Sequence, residues 1–201
     1  MSFISLTPMT ELQAVNLLLS AIGEAAVSSL ETATTVEVTQ AKNMLSNVNR
    51  AAQQKGWHFN TEWDVVLTRD SENLIPLSES ILSVYQPGQL MTIRGRSGSM
   101  YAYDLDNNTF VWTKNLNNAV TITLLEFVDS PNTFRQYVTT RAARIFQEEI
   151  IGQVSAETVN RQEEAEAYAD LLDDDAERAG LNVAYGTLDM LNTTQIHRKL
   201  W

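Results

Sequence analysis

A chain of 201 residues with 44% hydrophobic content is long enough to bury one core with room for a small insert. Its 25 acidic residues against 14 lysines and arginines give a formal net charge of -11, which excludes a broad cationic surface for nucleic-acid phosphates. No cysteine is present, so disulfides and thiolate metal or redox sites are excluded. With no apolar run of membrane-spanning length and no signal-peptide order in Met1-Ser2-Phe3-Ile4, a soluble, unexported protein is expected.

The first periodic segment runs from Thr10 to Ile22, where Leu12, Val15, Leu18, Leu19 and Ile22 recur at helical spacing behind a Thr10-to-Gln13 capping box. Gly23 ends it, and a turn region from Glu24 to Leu30 follows. The spacing of Val38, Ala41, Leu45, Val48 and Ala52 predicts a second helix from Thr32 to Lys55, stopped by Gly56. Beyond Trp57 come short β-prone runs at 65–68, 90–93, 101–103 and 120–124. Pro87-Gly88, Gly95-Arg96-Ser97-Gly98 and Asp106-Asn107-Asn108 separate them with turn chemistry, which predicts a small antiparallel sheet of hairpins. Helix returns at Ser130-Pro131, read as a cap followed by a first-turn proline, and continues through Phe134, Val138, Ala142, Ile145 and Phe146 to Gly152. A last helix is expected from Ala156 to Ala179, with a thin apolar stripe of Val159, Tyr168, Ala169, Leu172 and Ala176 on a strongly acidic surface. Beyond Gly180 periodicity is lost, and the end reads as an arm.

This order predicts an α+β protein: a four-helix bundle with a small antiparallel β-sheet insert between helix 2 and helix 3, and an extended C-terminal arm. The segments are residues 1–61 and 129–180 for the two halves of the bundle, 62–128 for the insert and 181–201 for the arm.

Catalysis requires a nucleophile beside a base, carboxylates in unlike environments, or a metal cluster. His58 and His197 are the only histidines, without metal-ligand spacing, and His58 within Trp57-His58-Phe59 reads as packed or half-exposed. Glu62 with Asp64, or Glu148 with Glu149, are the carboxylate pairs a glycosidase would use. Adjacent helical residues point apart, however, so Glu148 and Glu149 read as surface ion-pairing groups. Gly95 to Gly98 lacks the Lys-Ser/Thr of a phosphate loop, and a hairpin turn accounts for it. No catalytic residue, metal or cofactor is expected.

The densest charge feature comprises Glu163, Glu164, Glu166, Asp170, Asp173, Asp174 and Asp175, flanked by Arg161 and Arg178. It reads as a solvated helix face that, in a ring, would line a channel or meet a basic partner. A calcium loop is excluded by the missing central glycine. Trp57, Phe59 and Trp63 read as core at the helix-to-sheet junction. The terminal His197, Arg198, Lys199, Leu200 and Trp201 read as an interface arm, since Trp and Arg are favoured anchors.

Three segments resemble the tail tubular protein A family of short-tailed phages. Glu11 to Asn16, Ser20 to Glu24 and Val27 to Glu31 are similar to its N-terminal helix and turn. Lys55-Gly56-Trp57-His58-Phe59-Asn60 is similar to its helix-ending Gly-Trp-x-Phe-Asn, and Thr140 to Gln147 to its basic-aromatic third helix, with an acidic fourth helix following. Ala25-Ala26 departs from the two prolines common in the family, and the β insert matches only in pattern. The resemblance implies a structural subunit of the virion tail, assembled in the host cytoplasm. It implies a ring of twelve adaptors between the portal protein and the hexameric nozzle, tail tubular protein B, with tail fibres as further partners and no membrane. DNA would pass through without specific binding, repelled by an acidic lumen. Arg141, Arg144 and the arm are the interface residues this implies. The rival readings are a cell-wall or polysaccharide hydrolase associated with the tail, and a monomeric assembly chaperone.

Overall fold

Thr10 and Gln13 open the first helix by satisfying each other's backbone: Gln13 N donates to Thr10 Oγ1 at 3.2 Å and Thr10 N to Gln13 Oε1 at 2.9 Å. This is the capping box expected from the spacing, and the helix α1 (Glu11–Ala21) that follows buries Ala14, Val15, Leu18 and Leu19. The computed structural model describes residues 7–32, 35–152 and 157–178. Helix α2 (Val36–Gln53) is capped by Thr35, later than expected, and buries the anticipated Val38, Ala41, Leu45, Val48 and Ala52. Helix α3 (Asn132–Ile151) starts behind Pro131, not Ser130. Ser130 instead closes the preceding 3-10 turn, Phe127–Asp129, donating its hydroxyl to the Glu126 and Phe127 carbonyls at 3.2 and 3.1 Å. Helix α4 (Glu157–Arg178) completes the four helices among the described residues.

Helix α3 is the hub: α1, α2 and α4 all pack on it, and Phe134, Val138, Ala142 and Phe146 are its fully buried ridge. Arg135 ties the chain ahead of α1 to the same helix, donating to Met9 O at 2.8 Å and to Ser130 O at 2.8 Å. Asn16 closes the loop after α1, accepting from Val27 N at 2.8 Å and donating to Val27 O at 3.0 Å.

The expected apolar stripe of α4 requires correction. Leu172 and Ala169 face solvent, Leu171 is the buried residue, and the side chain of Val159 lies outside the described residues. Apolar periodicity misplaced the stripe because the docking face is mixed. Ala167, Tyr168 and Leu171 share it with Glu164, Asp174 and Asp175, which a search for apolar residues passes over.

Between α2 and α3 lie six strands: β1 (Thr61–Leu67), β2 (Pro76–Leu77), β3 (Ile81–Tyr85), β4 (Met91–Arg96), β5 (Ser99–Asp104) and β6 (Leu116–Thr123). They form two antiparallel three-stranded sheets, ordered β1-β6-β3 and β2-β5-β4, where a single sheet was expected. Leu67, Val84, Leu116 and Ala119 of one sheet share a core with Leu77 and Ala102 of the other, sealed by Ile75 and Trp112. Burying both inner faces against each other is what two small sheets need, since neither alone covers an apolar face. The turn expected at Gly95 to Gly98 narrows to Ser97 and Gly98, at φ 52° and 85°, the two-residue hairpin loop joining β4 to β5, while Gly95 and Arg96 belong to β4; Asn108 turns at φ 51°.

Candidate functional site

The boundary between the helical core and the sheets is a buried polar joint. Gln53, at 0% exposure, uses its amide like a strand edge: Oε1 accepts from Leu125 N at 2.8 Å and Nε2 donates to Leu125 O at 2.9 Å. Asn60 accepts from Trp57 N at 2.8 Å and donates to the carbonyls of Gln53 at 3.1 Å and Thr123 at 3.0 Å. The strands that enter and leave the sheet region are thereby tied to the last turn of α2, with every polar group of the two amides matched. Trp57 adds an indole N–H to Ala52 O at 2.8 Å and packs edge-on against Phe134 and Tyr168, both with centroids 6.2 Å away. Trp57 and Phe59 are core, as expected. Trp63 is not: it lies 45% exposed on edge strand β1, which is bulged at Asp64 with φ 57°.

Along the seam of α3 and α4, Glu164 bridges two arginines. Arg141 Nη1 donates to its Oε1 at 2.8 Å and Arg144 Nε to its Oε2 at 2.5 Å, while Arg144 Nη1 reaches Glu148 at 2.8 Å. The hydrogen bond that Arg144 donates to Glu164 raises its pKa and burial lowers it; with the further hydrogen bond to Glu148 and the charge of both carboxylates, the raise prevails. Both arginines, expected at an interface, therefore engage partners within the subunit. Arg141 keeps 41% of its side chain exposed, beside a cleft of about 410 Å³ lined also by Lys55, Tyr137, Arg161 and Tyr168.

The acidic run divides into two faces. Glu164, Asp174 and Asp175 turn inward: Asp174 accepts from Thr133 Oγ1 at 2.7 Å and Arg178 Nε at 2.8 Å, and Asp175 accepts from His58 N at 2.7 Å. These contacts run α4 antiparallel to α3 and clamp it onto the Trp57 junction. Glu163, Glu166, Asp170 and Asp173 are exposed, and Glu177 continues the same face.

A further surface was not anticipated. Arg94 and Arg96 project from β4 over an aromatic group, Arg94 at 3.7 Å from the Tyr103 ring centre and Arg96 at 5.6 Å from that of Phe110. Phe110 meets Tyr103 edge-on at 4.8 Å. The alternation Thr92, Arg94, Arg96 carried the signal, but reading Gly95 to Gly98 as a turn hid that Arg94 and Arg96 share a strand face.

The residues of the hydrolase reading are dispersed. Glu62 and Asp64 are exposed on β1, Glu148 is ion-paired with Arg144, Glu149 is exposed, and His58 is exposed with its backbone bound to Asp175. Among the described residues no group of three or more His, Asp or Glu side chains is placed to hold a metal, and no helix is long and apolar enough to cross a membrane. His197, Arg198, Lys199, Leu200 and Trp201 lie outside the described residues.

A search of curated proteins finds no match. The family model Tube, tail tubular protein, matches residues 12–181, from α1 through the sheets to the end of α4. The chain therefore belongs to the tail tubular protein family of phages and is a structural protein of the phage tail.

Proposed function

We propose that the protein is the adaptor subunit of a short tail, assembling as a twelve-membered ring between the portal protein and the nozzle, tail tubular protein B, and forming part of the conduit for genome ejection. The observation that carries this reading is a family match spanning the helices and the sheet region without a break. The buried joint of Gln53, Asn60 and Leu125 supports it physically, since a connector held between two other rings needs its helices and sheets tied together. In this reading the four helices form a bundle that packs subunits side by side, the sheets offer a surface to nozzle or fibres, and the arm from His197 to Trp201 reaches the portal. Arg141 serves at that interface through its exposed portion and Arg144 by holding the seam behind it. The acidic balance leaves passing DNA unbound.

Mixing the protein with its portal ring tests the proposal, with native mass spectrometry and electron-microscope class averages as the readout. A stoichiometric twelve-subunit layer on the portal is expected. Absence of association, in salt that preserves the portal, overturns it and moves attention to turnover of cell-wall or glycan substrates.

A further inference from the structure

Two charged surfaces of this chain have no ion-pair partner among the described residues, and they complement each other. In β4 and β5, Arg94 stands opposite Tyr101, Thr92 opposite Tyr103 and Arg96 opposite Ser99, which puts both arginines and both tyrosines on one face. The guanidinium groups rest over Tyr103 and Phe110, and no carboxylate pairs with either among the described residues. Stacking on the rings fixes the two cations while leaving their N–H edges open. Arginine and aromatic side chains together are the composition of interface anchors.

The second surface is the exposed side of α4. Glu163, Glu166, Asp170, Asp173 and Glu177 follow one another at intervals of three and four residues, so they form a straight row about 21 Å long. Asp170 and Asp173 have no cation partner among the described residues. Like charges at this spacing repel, and a cationic partner relieves the repulsion. The distances agree: residues two apart on a strand are about 6.6 Å apart, and successive turns of a helix rise about 5.4 Å.

We infer that the Arg94 and Arg96 face of one copy docks on the α4 carboxylate row of the next, a contact that rests on the ring reading above and specifies which surfaces build it. Strands β4 and β5 pack chiefly with other strands, whereas α4 packs chiefly on α3 and the 3-10 turn of His58–Asn60, so the two surfaces belong to different parts of the subunit. Such a pairing is head-to-tail, and it propagates around a ring instead of stopping at a pair. Of the two roles open to the acidic face, it takes the one of meeting a basic partner and is withdrawn from the lumen.

Charge exchange tests this on the portal-bound layer. Arg94→Glu with Arg96→Glu, and Asp170→Arg with Asp173→Arg, are each expected to lower the number of retained copies at least tenfold. An equal mixture of the two variants is expected to restore the full layer, because each acidic strand face then meets a basic helix. A full layer from either variant alone overturns the inference, as does failure of the mixture when both variants melt like the wild type. If the variants form the layer but lose the nozzle or DNA, the arginine face belongs to that partner and the inference falls while the ring reading stands. If the wild type forms no layer, the ring reading itself falls. Arg96→Cys combined with Asp170→Cys provides an independent check, because the chain has no other cysteine. Oxidation of that variant on the portal is expected to give a ladder of covalent multimers; dimers only, or no cross-link, overturn the contact.

Discussion

Gly56 sits at φ 73°, which strains any side chain, and a Cβ built on it would lie 2.7 Å from Ile122 Cδ1, so the end of Ile122 would also have to move aside. Gly56→Ala is expected to destabilise by about 1–3 kcal/mol, read as a lowered melting temperature with the helical content retained below it. Gln53→Leu keeps the volume but removes the groups that pair with Leu125 N and O. A loss of about 1–3 kcal/mol for each orphaned group is expected, and hydrogen exchange at Leu125 should accelerate more than exchange in α1. The glycine was legible in sequence as a helix stop and Trp57 as core. The buried Gln53 and Asn60 were not, because a polar residue signals burial only when its partners are known, and Leu125 and Thr123 lie 72 and 63 positions away.

At the scale of elements, α4 is held by apolar contacts of Ala167, Tyr168 and the buried Leu171 together with the polar contacts of Glu164, Asp174 and Asp175. Burial raises the pKa of Asp174, but hydrogen bonds from Thr133 and Arg178 and the charge of Arg178 outweigh it and hold the carboxyl below its ordinary value of 3.8. Because the folded value is depressed, the contribution is complete above that ordinary value and is lost as pH falls through the lower, folded one. Asp104 behaves alike: burial raises its pKa, and hydrogen bonds from the Asn107 side chain and backbone, from Asp106 N and from Gln89 outweigh this. A stability curve should therefore be flat with respect to these two groups near neutrality and fall below about pH 4, with Asp174→Asn removing the α4 part of the fall. Glu164→Ala leaves Arg141 without its carboxylate and Arg144 with Glu148 alone. With Arg141 partly exposed, a loss of about 1–2 kcal/mol is expected in denaturant titration, and Arg141→Ala should cost less because its removal leaves Glu164 paired with Arg144. The helix itself was evident from its span and acidic composition. Which carboxylates point inward depended on the rotation of α4 against α3, and that rotation is set by the contacts of Thr133, Arg141, Arg144 and His58.

For the whole molecule, removal of His197 to Trp201 is expected to abolish retention on portal rings in a pull-down, whereas a tail-associated hydrolase would keep its activity after the same truncation. Retained portal binding would reject the arm as the portal contact. The sequence by itself determined the order of the helices, the strands β1, β4, β5 and β6, the faces of α1 and α2, the Ser97-Gly98 hairpin loop and the family, because each rests on periodicity, turn residues or local motifs within a few positions along the chain; it passed over β2 and β3. It did not determine the number of sheets, since β2 is two residues long and pairing partners are chosen across the fold. Nor did it separate the inward carboxylates from the outward row, or bring Arg94 and Arg96 over Tyr103 and Phe110. Those arrangements arise only when distant segments pack, because burial and pairing are properties of the assembled surface and not of any stretch of chain.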